Sequence, residues 1–317
     1  MQIDAITRKS SLLAMLLLLI IVVTTLVRSR LAPYDTELAV SSFFERNISY
    51  IISALLILAG GLVAGRVFLH SGLNKGFCTL PIPLYGVVLC GIFVSPDILE
   101  YCTTSLVFAF AVLLLMRSLN NPEEKDSIFF GSLFLGTIPL LLPQGVALVA
   151  ILPLMIFYFA LSFRQIVLMV TGYILPLLTA SYIVWYGGAE FWSVAESLWT
   201  QISRPDTSLF ETLPIVACVM GAYIVGLLLF GAIYGVVKPD KIFLLVRVRH
   251  SLYIMLFLFV VTVAMLAIPS SNIAVLSIVA VPTTIILSLV LSLLPRTIST
   301  IAYWLLLGLT ILHLFIE

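Results

Sequence analysis

The chain has 317 residues, of which 62% are hydrophobic and only 10% charged, with a mean hydropathy of +1.22. A soluble domain carries about 25% charged residues, so this composition excludes one and points to a single integral membrane domain, 1–317. A formal net charge of +1 leaves no basic stripe for nucleic acid.

At the start, Arg8-Lys9 precedes the apolar run Leu12–Val27, which Arg28 and Arg30 follow. A signal peptide would end in small residues, and Thr-Leu-Val-Arg-Ser-Arg does not, so a retained first span is expected. The polar loop Arg28–Asn47 holds Asp35, Glu37, Glu45 and Arg46. The second span, Ile48–Leu69, carries Gly60, Gly61 and Gly65, a spacing that lets another helix approach closely. A turn at Asn74-Lys75 leads to span three, Phe77–Val94. Pro96-Asp97 and Glu100 make the next turn, before span four, Thr104–Leu119, and the charged loop Asn120–Asp126.

Three apolar segments then stand almost without loops: Ile128–Leu142, Val146–Phe163 and Ile166–Tyr186. The joints between them are Pro143-Gln144-Gly145 and Arg164-Gln165. In water each segment would need a polar face, a need that a bilayer removes. The first reaches only roughly 22 Å against a hydrocarbon core of about 30 Å, and Pro139 and Pro143 interrupt it. Residues 128–163 therefore read either as two spans with a tight outer turn or as a re-entrant pair meeting at Pro-Gln-Gly. Both versions enter and leave on one side.

The polar connection Gly187–Thr212 contains Phe191, Ala195, Leu198 and Ile202 at helical spacing, with Trp192 and Trp199 beside them. This predicts an amphipathic helix over Phe191–Ile202 lying in the membrane interface, where tryptophan concentrates. Four further spans follow, about Leu213–Val237, Ser251–Ile268, Ile273–Leu294 and Thr297–Ile316. The expected fold is an all-α polytopic transmembrane helix bundle of about eleven membrane segments plus one interfacial helix.

Alternating those segments from a cytoplasmic N-terminus leaves only Arg28, Arg30, Arg46 and Arg204 of the basic residues outside. Of the acids, only Asp4, Glu123, Glu124, Asp126 and Asp240 fall inside. That asymmetry obeys the positive-inside rule and puts the C-terminus on the periplasmic side of a bacterial inner membrane.

No Asp, Glu, Lys or Arg falls mid-segment, which argues against a charge-coupled pump or antiporter. Walker, dinucleotide and Gly-x-Ser-x-Gly motifs are absent as well. Cys78, Cys90, Cys102 and Cys218 show no Cys-x-x-Cys spacing and read as small hydrophobes. His70, His250 and His313 lie far apart, so neither a metal nor a cofactor is expected.

Candidate chemistry is thus confined to the membrane surfaces. Asp35 and Glu37 are the candidate catalytic acids, since a carboxylate can deprotonate a hydroxyl acceptor. Arg46 and Arg204 are candidate substrate-binding residues, because a guanidinium can hold a lipid phosphate bidentately. Trp192 and Trp199 join them as candidate substrate-binding residues. The plainer reading is an acidic solvated loop in which Asp35 is a turn residue.

The run Asn121–Gly188 includes Lys-Asp-Ser-Ile-Phe-Phe-Gly-Ser-Leu-Phe-Leu-Gly before the Pro-Gln-Gly joint. After it comes Phe-Arg-Gln-Ile-Val-Leu-Met-Val-Thr-Gly-Tyr-Ile-Leu-Pro. With the Asn74-Lys75 turn and Val94-Ser95-Pro96, this resembles a family of uncharacterised multi-span inner-membrane proteins of Bacteroidota. The resemblance covers most of residues 48–188 and brings no activity with it. More distantly, the layout is similar to C-type polyprenyl-phosphate-sugar-dependent glycosyltransferases, which share a cytoplasmic N-terminus, an acidic first outer loop, interfacial helices and paired short membrane helices. That likeness implies that Asp35 or Glu37 takes the catalytic acidic position. The first loop here is shorter, and an aspartate pair is lacking.

Envelope biogenesis with a lipid or polyprenyl-phosphate-linked glycan at the periplasmic face is the function expected. A non-enzymatic scaffold that packs other membrane proteins is the alternative. A lipid flippase or uncharged-solute permease is the third.

Overall fold

The computed structural model describes residues 46–72, 79–92, 98–120, 126–159, 161–204, 213, 215–237, 246–271 and 274–316. Regular structure among them is entirely helical, without a strand. Six of these helices are long and apolar enough to cross a membrane. The chain is an all-α membrane protein. The expected first span, Leu12–Val27, lies outside the described residues, as does the loop carrying Asp35 and Glu37.

The first four helices are α1 (Arg46–His70), α2 (Pro81–Ile92), α3 (Ile98–Asn120) and α4 (Asp126–Leu141). α1 packs on α2 and α3, and α3 packs on α4. The glycines of α1 allow its approach to α2. A Cβ on Gly60 would meet the Tyr85 hydroxyl at 2.6 Å, and one on Gly65 would meet Ile82 at 3.0 Å. The Tyr85 hydroxyl then donates to Ser105 Oγ of α3 at 2.8 Å, so three helices meet at one buried contact. α2 itself rises only about 18 Å, and residues 81–91 are all buried. α3 starts earlier than the sequence suggests. Glu100 lies in its first turn rather than in a loop, where the positive end of the helix dipole favours an acid.

The three central segments differ from expectation at both joints. Pro-Gln-Gly is not a loop. Leu142 is extended (φ −139°, ψ 107°), and the chain then enters a 3-10 helix, Pro143–Ala150, that runs on into α5 (Ile151–Phe159). Proline suits the first position of a helix, because its missing N–H would have had no partner there. Arg164 and Gln165 belong to the first turn of α6 (Phe163–Tyr186). Its start is held by Ser162, whose backbone N–H and hydroxyl both donate to Gln165 Oε1 at 2.9 Å.

α4 and α6 are in backbone contact. A Cβ on Gly136 would strike the Tyr173 carbonyl oxygen, and one on Gly172 would strike Ser132 Oγ and the Phe129 carbonyl. Both helices end beside the same neighbours: the 3-10 segment follows α4, the short helix Ser193–Ser203 follows α6, and those two pack together. α4 and α6 therefore run parallel, and the 3-10 segment and α5 form the connection that returns from the end of one to the start of the other.

α7 is the short helix Ser193–Ser203. α8 (Ile215–Val237), α9 (Val246–Ala264), the 3-10 turn Met265–Ala267, α10 (Val275–Leu293) and α11 (Arg296–Ile316) complete the described chain. α10 is the hub. It packs against α1, α2, α3, α8, α9 and α11, and 83% of its apolar window is buried, against 22% for α6 and 28% for α8. Its hydroxyls find partners inside the helix: Thr283, Thr284 and Ser288 donate to Val279, Ala280 and Thr284 carbonyls at 2.7 Å. Such back-bonding is how a polar side chain is satisfied where no water reaches it.

Candidate functional site

α6 ends at Tyr186, and Gly188 turns the chain with φ +94°, a left-handed value that glycine adopts without a Cβ penalty. α7 follows, starting two residues later and ending one residue later than the expected Phe191–Ile202, with Trp192 as its N-terminal cap position. It packs against α6 and the 3-10 segment. Phe191, Val194, Leu198 and Ile202 are its half-buried side, so Val194 takes the place expected for Ala195, which is exposed. No residue of α7 is fully buried.

Trp192 and Trp199 point away from the bundle, at 67% and 72% exposure. Seven residues apart on a helix, they share one face. Tyr182, Trp185 and Tyr186 are also exposed at the adjoining end of α6. Amphipathic aromatic rings gathered at one end of an apolar bundle mark headgroup depth.

The 3-10 segment on which α7 packs carries a buried amide. Gln144, the second residue of the 3-10 segment, is 5% exposed. Its Nε2 donates to the backbone carbonyl of Ser270, with Ser270 Oγ at 3.4 Å. Ser271 Oγ caps the neighbouring turn by donating to the Leu266 carbonyl at 2.8 Å. Gln144 Oε1 is buried and has no hydrogen-bond partner among the described residues, and the same holds for Ser193 Oγ at the start of α7. The Gln144 orientation is the one its neighbours require: the Ser270 carbonyl is an acceptor and needs the N–H side of the amide.

Three connections thus gather at one end of the bundle: the α4 to 3-10 junction, α7, and residues 268–271. The arrangement offers a buried neutral acceptor, two hydroxyls and an outward aromatic face. It can orient a polar headgroup by hydrogen bonding, and the acids described at this end, Glu190 and Glu196, are exposed rather than gathered around the buried amide.

Of the residues singled out from sequence, Trp192, Trp199 and Arg204 lie together on α7. Arg204 is exposed at the helix C-terminal end, its N–H donating to the Thr200 carbonyl at 3.1 Å. Arg46 is the first residue of α1. Asp35 and Glu37 lie outside the described residues. Sequence reasoning passed over Gln144 because it stood in an assumed turn. Its signal was an uncharged polar side chain flanked on both sides by long apolar runs. No family model, curated protein or solved structure matches this chain.

Proposed function

We propose that this chain is a multi-pass bacterial inner-membrane protein that handles a lipid or lipid-linked glycan at the periplasmic face. The observation that carries the reading is the convergence at one end of the bundle. Alternation from a cytoplasmic N-terminus assigns the Pro143 junction, α7 and residues 268–271 to the outer side. These three are the connections found packed together. The excess of basic residues on the other side supports the same orientation.

On this reading residues 126–159 cross the membrane twice, and the whole chain has about eleven membrane segments. Two lengths support the double crossing. The 3-10 segment of eight residues and α5 of nine together rise about 30 Å, because a 3-10 helix climbs about 2.0 Å per residue. α7, which follows the 24-residue α6, packs on the 3-10 segment, so that segment reaches the depth at which α6 ends. That contact favours two crossings over a re-entrant pair.

The catalytic form of the proposal rests on the glycosyltransferase resemblance. Asp35 or Glu37 would activate the acceptor hydroxyl, while Arg46 and Arg204 hold the donor phosphate. Deleting the gene should cause a polyprenyl-linked glycan to accumulate, read by mass spectrometry of lipid extracts. Restoring the wild-type chain should clear it, and the Asp35→Asn, Glu37→Gln double variant, expressed at wild-type level, should not. An unchanged lipid profile in the deletion would sink this reading and leave the scaffold. The lipid-exposed apolar side of α6 (Val167, Ile174, Leu178 and Tyr182) supports that second reading as a docking face for another membrane protein.

A further inference from the structure

We propose that Gln144 is a binding residue for a hydroxyl group at headgroup depth, supplied by the polar head of a phospholipid or by water. Two independent observations meet here. Gln144 is a neutral side chain that is 5% exposed, with its Nε2 committed to Ser270 and its Oε1 unpartnered among the described residues. The second orphan atom, Ser193 Oγ, begins the helix that packs on the segment bearing Gln144.

The chemistry of the ligand follows from the atoms. An amide oxygen only accepts, so its partner must donate. A serine hydroxyl accepts and donates, so a hydroxyl is a suitable partner for Ser193 Oγ as well. A hydroxyl meets that requirement, whereas a phosphate oxygen or a choline headgroup does not. Depth selects the source: α7 carries the outward Trp192 and Trp199, which belong at the headgroup boundary. Leaving the acceptor bare in an apolar surrounding is unfavourable, and α7, without a fully buried residue, is the element that can shift to admit the donor. The inference needs the bundle to sit in a membrane. It does not depend on which side the joint end faces, nor on any glycan.

The test uses the full chain in detergent micelles and native mass spectrometry. The probes are phosphatidylglycerol, whose headgroup carries two hydroxyls, and phosphatidylmethanol, which has the same charge and none. Wild type should retain phosphatidylglycerol about three- to tenfold more strongly, the worth of one hydrogen bond. Gln144→Met should erase the preference. Should that variant fail to fold, Ser193→Ala, which leaves the Gln144–Ser270 contact in place, should reduce it. Equal retention of the two lipids, with water cross-peaks to the Gln144 side-chain amide in NMR, would identify water as the hydroxyl source. Equal retention without such cross-peaks would overturn the proposal. So would a phosphatidylglycerol preference undiminished in either variant. None of these readouts involves the polyprenyl-linked glycan, so the proposed function can fail while this site stands, and the reverse.

Discussion

At the scale of single residues, glycine has two different meanings in this chain, and only coordinates separate them. Gly60, Gly136, Gly172 and Gly231 each stand where a Cβ would meet a neighbouring helix, whereas Gly221 and Gly226 of α8 have nothing within 4 Å. Of Gly221, Gly226 and Gly231 in α8, only Gly231 stands at such an approach, against Val290 of α10. Gly136 is the most demanding because its neighbour is backbone, the Tyr173 carbonyl, which cannot rotate aside. Gly136→Ala should therefore destabilise the chain by about 1–3 kcal/mol, the usual range for overpacking. Gly221→Ala should be neutral or stabilise by up to about 1 kcal/mol, since it removes a flexible residue from a helix interior. Thermal unfolding of both in one detergent checks the pair, and equal melting temperatures would refute the assignment. Of the described cysteines, Cys90 and Cys102 are buried in the apolar core as small hydrophobes would be, and Cys218 is exposed.

At the scale of elements, hydropathy located most helices to within a few residues, and it failed where chemistry rather than hydropathy sets the end. Val246–Ala264 takes in Arg247 and Arg249, which the charge pattern had left in a loop. Gln165 was read as part of a joint and is instead the residue that ties Ser162 into the start of α6. The Pro-Gln-Gly turn was inferred from composition, but proline also begins helices, and there it does. α7 was legible because amphipathic spacing and paired tryptophans are local signals. Which of its sides meets protein was not, as the covering surface comes from α6 and the 3-10 segment. With both tryptophans outward, their depth becomes measurable. In a chain carrying Trp185→Phe and Trp304→Phe, fluorescence should be quenched more by a nitroxide near the headgroups than by one at the acyl-chain end. Stronger quenching by the deep probe would remove α7 from the interface.

At the scale of the whole molecule, the stretch 126–188 drew attention from its sequence, but the bundle is built around α10. The reason is physical. In water, the polar face of a helix reveals which side is buried; in lipid, a peripheral helix and a central one are both apolar all round. α6 and α10 have mean hydropathies of 1.9 and 2.3 over their windows, a small difference, while their buried shares are 22% and 83%. Hydropathy therefore marks where apolar helices lie and leaves their neighbours unassigned. Direction, by contrast, is recoverable, because parallel α4 and α6 require the polypeptide between them to return across the bundle. Ser162, at the start of α6, and Ser203, at the end of α7, are both exposed and lie at its two ends. In intact cells, a membrane-impermeant thiol reagent should label Ser203→Cys and spare Ser162→Cys, in a chain whose own cysteines are replaced by Ala. Permeabilisation should expose Ser162→Cys. Labelling of Ser162→Cys alone before permeabilisation would invert the orientation and carry Gln144, α7 and Arg204 to the cytoplasmic face. Labelling of both would break the alternation itself, since α6 could then not separate two compartments.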